Sequence, residues 1–279
     1  MHQPTILAAV PSHASFVELD LAHGADPRAA LAEVGSLSPL SDLVVGLGPG
    51  LLAARGATPA GYGPVPVLER PVPAVPATPH DLLLRIQGAD PGAVLHRQRM
   101  ILAALPSFTV AEETAAFMYG ESRDLTGFID GTENPTGDDA REAAFAADGS
   151  SVVVVQRWLH DLDTVDAMGG GAMSQAIGRD LCSNEELEDA PETAHVKRTA
   201  QEDFTPEAFV LRRSMPWSDH RGAGLVFVSF SATLAPFSAQ LRRMTGHDDG
   251  LVDALFSFTR PVTGATYWCP PCADGRLVL

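Results

Sequence analysis

One order of elements occurs twice in these 279 residues. In the first half, TILAAV (5–10) and SFVELDL (15–21) read as strands, and DPRAALAEVGSL (26–37) as a helix with Asp26 as N-cap and Pro27 at the first helical position. DLVVGLG (42–48) reads as a buried strand, the Gly-, Pro- and Ala-rich residues 54–80 as loop, and DLLLRIQ (81–87) as a further strand. Asp90-Pro91 opens a second helix, whose apolar positions Val94, Leu95, Ile101, Leu102 and Leu105 lie mostly on one face until Pro106 stops it. The second half repeats this rhythm. SVVVVQRWL (151–159) is a β-branched run suited to a central strand. A helix-forming stretch follows to about residue 190, then strands at 208–215 and 224–234. Phe237, Leu241 and Met244 then recur at i, i+4 and i+7, with Gly246 at the C-cap. Adjacent strand pairs disfavour a single α/β domain, in which strands and helices alternate strictly. The pattern predicts an α+β protein: duplicated ferredoxin-like modules with antiparallel sheets, 1–120 and 151–279, joined by a segment at 121–150. By composition, the acidic stretch 111–150 reads as a linker.

Charge narrows the function. Nineteen Lys and Arg stand against 35 Asp and Glu, a formal charge of −16, which repels phosphate backbones and anionic lipid. Nucleic-acid and polybasic membrane roles are excluded on this ground. No uncharged apolar run reaches the roughly 18 residues that a spanning helix needs. MHQPTILAAVPSH has no basic residue before its short apolar run, so it is not expected to be a signal peptide. Three cysteines, Cys182, Cys269 and Cys272, are too few for a disulfide framework and fit a reducing compartment, with the cytoplasm as the expected location.

Several strings carry chemistry. In GFIDGTENPTG (127–137), Asp130 sits before Gly131, Asn134-Pro135 and Gly137, all turn formers, so a plain turn and an acid held on a tight loop are both open readings. None of the nine histidines has zinc-site spacing to another. A single histidine is enough where a porphyrin supplies the other four donors, and His195 in ETAHVKRT is such a candidate; otherwise it is an ordinary satisfied histidine. In VLRRSMPW (210–217), Arg212 and Arg213 face opposite sides of a strand, and the inward one needs an anionic partner. Cys269-Pro270-Pro271-Cys272 lies too late, and its prolines break a helix too surely, for a thioredoxin-type site; a solvent-near pair of thiols is the expectation.

GFIDGTENP, with the downstream order of His and Arg, resembles the dye-decolorizing peroxidases, specifically their bacterial B-type branch. The resemblance extends along the chain through DLVVGLGPGLLA, DLLLRIQGADPGAVLHRQRMI, WLHDLDTVDAM, QAIGRDLCSNEELED, AHVKRT, LRRSMPW, GLVFVSF and TGATYWCPP. It implies a haem-dependent peroxidase with one haem b per chain, held mainly by the second of two ferredoxin-like modules arranged as in a dimeric α+β barrel. It assigns His195 as the proximal iron ligand, Asp130 as the distal acid and Arg212 as the distal arginine, with Arg213 pointing away. Ser214 falls at a small polar distal position, Arg179 and Asn134 are further haem-contact candidates, and Leu225 and Phe227 are candidates for the apolar distal wall. The implied partners are hydrogen peroxide and a small organic electron donor (dyes, phenolics or porphyrins), oxidised through a ferryl intermediate; a homo-oligomer is expected. The alternative is a haem-handling protein with incidental peroxidase activity. No long tail resembling the encapsulin-targeting peptide of some B-type members is present, which argues against encapsulation. An acidic partner for the second ring nitrogen of His195 is expected on physical grounds, and Asp253 is nominated. Trp158, Trp217 and Tyr267 are the aromatic candidates for electron relay, with core packing as the preferred reading.

Overall fold

The computed structural model of the chain describes residues 1–68 and 73–279. Its first half runs β1 (His13–Leu21), α1 (Pro27–Gly35), β2 (Leu43–Leu47), α2 (Pro49–Arg55), β3 (Leu82–Gly88), α3 (Pro91–Ala103) and β4 (Phe108–Phe117). After α4 (Gly137–Ala144) come β5 (Ser151–His160), α5 (Leu162–Ile177), α6 (His195–Thr199), β6 (Leu211–Arg212) and β7 (Met215–Asp219). β8 (Gly222–Ser231), α7 (Ala235–Met244), β9 (Thr259–Pro261) and β10 (Ala265–Cys269) follow.

All pairings are antiparallel. The first half is ordered β4-β1-β3-β2 and the second β10-β5-β8-β7, the same fourth-first-third-second order by chain position. β4 meets β7 at Ala116 and Trp217, and β2 meets β10 at Leu47 and Trp268, so the two four-stranded sheets close into one barrel-like ring. The α+β, duplicated ferredoxin-like reading is therefore what the chain adopts.

Local chemistry sets the helix starts. Asp26 accepts from the Arg28 N–H at 3.0 Å, and Asp90 from the Ala93 N–H at 2.8 Å, each just before a proline in the first helical turn. A cap of this kind contributes about 1 kcal/mol. Strand alternation then divides the side chains: on β1, Phe16 faces into the ring and Val17 faces out. The ring interior holds Leu83, Val153, Trp217, Val228 and Tyr267. Outside the first half, Val17, Val45, Leu84 and Ile86 pack against Val34, Leu51 and Ile101 of the helices in a solid apolar core. Outside the second half, Val152 and Val154 meet Phe237 and Leu241 of α7, and beside that contact a cleft opens.

Four local expectations are corrected. TILAAV is no strand: Pro4–Ile6 is a turn of 3-10 helix, because Gln3 spends its side-chain amide on the Val45 N–H and C=O at 2.8 Å each and fixes the chain there. The supposed linker at 111–150 begins inside β4, whose exposed face accounts for its polar composition, and later contains α4. The strand expected at 208–215 breaks between β6 and β7, where the Ser214 hydroxyl accepts from the Val228 N–H at 3.3 Å. The two late cysteines are buried and belong to different cores, Cys269 inside the ring and Cys272 in the first-half core; burial pushes the Cys269 thiol far up. In the stretch read as loop, residues 69–72 lie outside the described residues; residues 54 and 55 close α2, and the remaining described residues form neither helix nor strand. Among the described residues, no helix is long and apolar enough to cross a membrane.

Candidate active site

The cleft holds about 1450 Å³ of space, part of it open solvent at the mouth. Its floor is the outer face of the second sheet: Gln156, Trp158 and His160 from β5, with Leu225 and Phe227 from β8. α7 adds Phe237, Leu241 and Met244, and α5 adds Ile177. His195 and Val196 reach it from α6, and Asp130, Arg212 and Arg179 also line it.

His195 is held by a buried carboxylate. Its Nδ1 lies 2.7 Å from Asp253 Oδ2, and the Asp253 side chain is wholly shielded from solvent. Asp253 Oδ1 meanwhile accepts from the Leu255 N–H at 2.8 Å, which fixes the carboxylate plane. A carboxylate oxygen accepts hydrogen bonds, so in the neutral imidazole this contact favours the tautomer with the proton on Nδ1 and the lone pair on Nε2. The expected partner of His195 is thus in contact with it.

Asp130 stands on the loop that the sequence marked as a tight turn. The Asp130 N–H donates to Ser122 O at 2.9 Å, and Asp124 N–H to Phe128 O at 2.8 Å, coiling the loop on itself. Gly131 takes φ +81°, and a Cβ there would lie 2.7 Å from Asn134 Nδ2. With that space free, the Asn134 side chain accepts from the Arg212 N–H at 2.7 Å and donates to Arg212 O at 3.1 Å. This two-point clamp ties the loop to β6 and leaves Asp130 Oδ1 3.4 Å from Arg212 Nη2. Arg213 turns the other way, donating to Leu7 O at 3.2 Å.

The loop is also fastened to the sheet. His160 Nε2 lies 3.0 Å from Asp124 Oδ1, and its Nδ1 2.7 Å from Thr259 Oγ1. Burial would raise the Asp124 carboxyl, but its hydrogen bonds to His160 and Thr126 outweigh that and hold it below the ordinary value.

Of the nominated residues, His195, Asp130, Arg212, Arg179, Leu225 and Phe227 converge on the cleft. The Arg179 guanidinium is shared among Glu133 at 2.5 Å, Glu186 at 3.3 Å and the Asn184 carbonyl at 3.0 Å, so it braces the rim. Asn134 and Ser214 lie beside a second, smaller cavity, with room for about one water-sized molecule. Asp130, Arg212 and Leu225 border both cavities. Trp217 and Tyr267 lie inside the ring, while Trp158 forms part of the cleft wall. Sequence reasoning missed the cleft roles of Gln156, Trp158 and His160, although their spacing of two on β5 puts them on one face. The repeat of Phe237, Leu241 and Met244 marked a helix in the sequence, but not that its apolar face lines the cleft.

The cleft fits a flat apolar group that brings its own metal donors. Its walls are largely aliphatic and aromatic, and His195 offers one free ring nitrogen. Among the described residues no group of three or more His, Cys, Asp or Glu can hold a bare ion, so a metal at His195 needs its other donors from a macrocycle.

Comparison with known proteins identifies the family. A family model described as Dyp-type peroxidase, C-terminal, matches residues 121–274. A dye-decolorizing peroxidase of Rhodococcus erythropolis is 32% identical over 246 residues, 80% of this chain and 72% of its own length. Its counterpart from Mycobacterium tuberculosis is 31% identical over 228 residues, 77% and 68% of the two chains. Among solved structures, a Rhodococcus jostii RHA1 DypB variant in complex with heme superposes with a TM-score of 0.89 at 30% identity, over 96% of both chains. A dye-decolorizing protein from V. cholerae gives 0.85 at 30% identity, again over 96% of both. With the family model covering more than half of it, the chain belongs to the dye-decolorizing peroxidases, in their bacterial B-type branch, and is a haem-dependent peroxidase.

Proposed function

We propose that His195 would hold the iron of one haem b per chain and that Asp130 and Arg212 would carry out the proton and charge chemistry of peroxide activation. The observation that carries this reading is that a carboxylate-backed imidazole and an aspartate–arginine pair border the same apolar cleft. The haem-bearing unit is then the module 151–279, with 121–150 delivering Asp130 and 1–120 serving as its packed counterpart.

Haem, when bound, would supply the iron centre and the electrons for the two-electron reduction of peroxide. The chain's own groups do the rest. Asp253 fixes the tautomer and plane of His195 and strengthens its Nε2 as a donor. Asp130 Oδ1 accepts the proton that peroxide gives up from one oxygen and returns it to the other before the O–O bond breaks. Arg212, 3.4 Å away, faces the negative charge that grows on the departing oxygen. The Asn134 clamp holds the two at that separation. The small cavity behind the pair has room for about one water-sized molecule, enough for a water beside the Asp130–Arg212 pair.

Absorption spectra of the haem-loaded protein, recorded before and after one equivalent of peroxide, test these roles. Replacing His195 by Ala is expected to remove or shift the Soret band. Asp130→Ala and Arg212→Ala are expected to keep the band while slowing its response to peroxide about 10²–10³-fold. A Soret band unchanged in His195→Ala would remove the ligand assignment, and wild-type response rates in both distal variants would remove theirs.

A further inference from the structure

The ring interior is apolar along most of its length, but at the end covered by the N-terminal segment it holds two arginines. Arg85, on β3, is 1% exposed. Its Nη1 donates to Gln87 Oε1 at 2.6 Å, while Nε and Nη2 are buried with no hydrogen-bond partner in the protein. Phe16 places its ring 5.8 Å from the guanidinium carbon. The charge acting on Arg85 is another cation, Arg213. Arg213 donates to the carbonyls of Arg212 and Leu7 at 3.0 and 3.2 Å, and its Nε is likewise buried without a partner.

Neither arginine has a carboxylate partner among the described residues. Glu18, the buried acid of the ring, is taken up by Tyr267 at 2.5 Å, and Glu112 by Arg157 and Arg221 at 3.1 and 2.9 Å. A guanidinium does not escape this by losing its proton: burial and the repulsion of Arg213 draw Arg85 down only to about 9, so it stays charged at neutral pH. An unpaired buried ion is strongly destabilising, and each unmade hydrogen bond adds to that. The fold needs a counter-charge at this point.

We propose that a small inorganic anion of the halide type binds inside the ring between Arg85 and Arg213. It accepts from the free Nε–H and Nη2–H of Arg85 and the free Nε–H of Arg213. The enclosure limits the anion's size. Gln3 is fully buried and tied to β2 and to Pro270 O, Ile6 is 1% exposed, and the Leu7 carbonyl caps Arg213. The free Nε–H and Nη2–H lie on one edge of the Arg85 guanidinium, so one small anion can accept from both. The site lies inside the ring rather than on the outer face that forms the cleft, and Arg213 connects it to the cleft through the Arg212 carbonyl.

Crystals of the haem-loaded protein grown with bromide in place of chloride provide the direct test. An anomalous peak within hydrogen-bonding reach of Arg85 and Arg213 is expected; its absence overturns the proposal. Thermal unfolding supplies a second measurement, comparing chloride with gluconate at constant ionic strength. The midpoint is expected to rise by a few degrees for each tenfold increase in chloride above the binding constant. Arg85→Met is expected to abolish that rise, and an equal rise in the variant would place the halide effect elsewhere. If Arg85→Met does not fold, the bromide crystal of the wild type decides.

Discussion

Asp253 is where a single atom does most for the site. Its two oxygens are spent on different tasks, one on the Leu255 N–H and one on His195 Nδ1, so the carboxylate is aimed as well as buried. Asp253→Asn keeps the shape but presents a neutral acceptor or, if turned, a donor against Nδ1–H. Haem affinity is expected to fall about 10–100-fold, read from haem transfer to apomyoglobin, with the folded content unchanged by circular dichroism. Asp124 governs a different property. Its carboxyl lies below the ordinary value of 3.8 in the folded chain, so the folded state holds fewer protons there than the unfolded one. The stabilisation is complete above the unfolded value and is lost as the pH falls through the lowered one. Denaturant unfolding of Asp124→Asn between about pH 5 and 2 is accordingly expected to show a shallower loss of stability with acid than the wild type. Glu18 acts in the opposite sense: burial raises its carboxyl despite the Tyr267 hydrogen bond, so its contribution is greatest in acid and is lost as the pH rises.

At the scale of elements, the site depends on how α5 ends. Gly178 caps it with φ +90°, and a Cβ there would lie 2.3 Å from Val196 Cγ2, on the residue next to His195. Gly178→Ala therefore displaces α6 without touching the ligand. Haem retention is expected to drop together with about 1–3 kcal/mol of stability, measured by haem release and by urea unfolding. The sequence disclosed such elements unevenly. Capped helices were legible because Asp26 and Asp90 act on their own next turn. β4 was not, because exposed positions such as Thr109, Val110 and Glu113 interrupt its apolar pattern and its pairing with β1 and β7 is long-range. TILAAV misled because an apolar run does not show that Gln3 will occupy the backbone of β2. The site residues were legible as types in order along the chain. The Asn134 clamp and the His160–Asp124 tie were not, since each joins segments dozens of positions apart.

For the molecule as a whole, the ring has strong and weak joints. β5 and β8 pair continuously from Val152 to Leu159, whereas among the described residues each seam between the two sheets has a single ladder pair, Ala116–Trp217 and Leu47–Trp268. In native-state hydrogen exchange the amides near these two seams are expected to open before those of β5 and β8; uniform protection around the ring would show that the halves do not open separately. The floor of the cleft thus belongs to the longest unbroken pairing in the ring. The filled outer face of the first half and the hollow outer face of the second have a consequence for how such a chain can change over time. Two halves of one topology have divided their labour. Substitutions around α1 and α3 are weighed by selection as foldedness, and those around α6 and α7 as chemistry. The hollow half is therefore free to explore new reactivity while its twin carries the burden of staying folded.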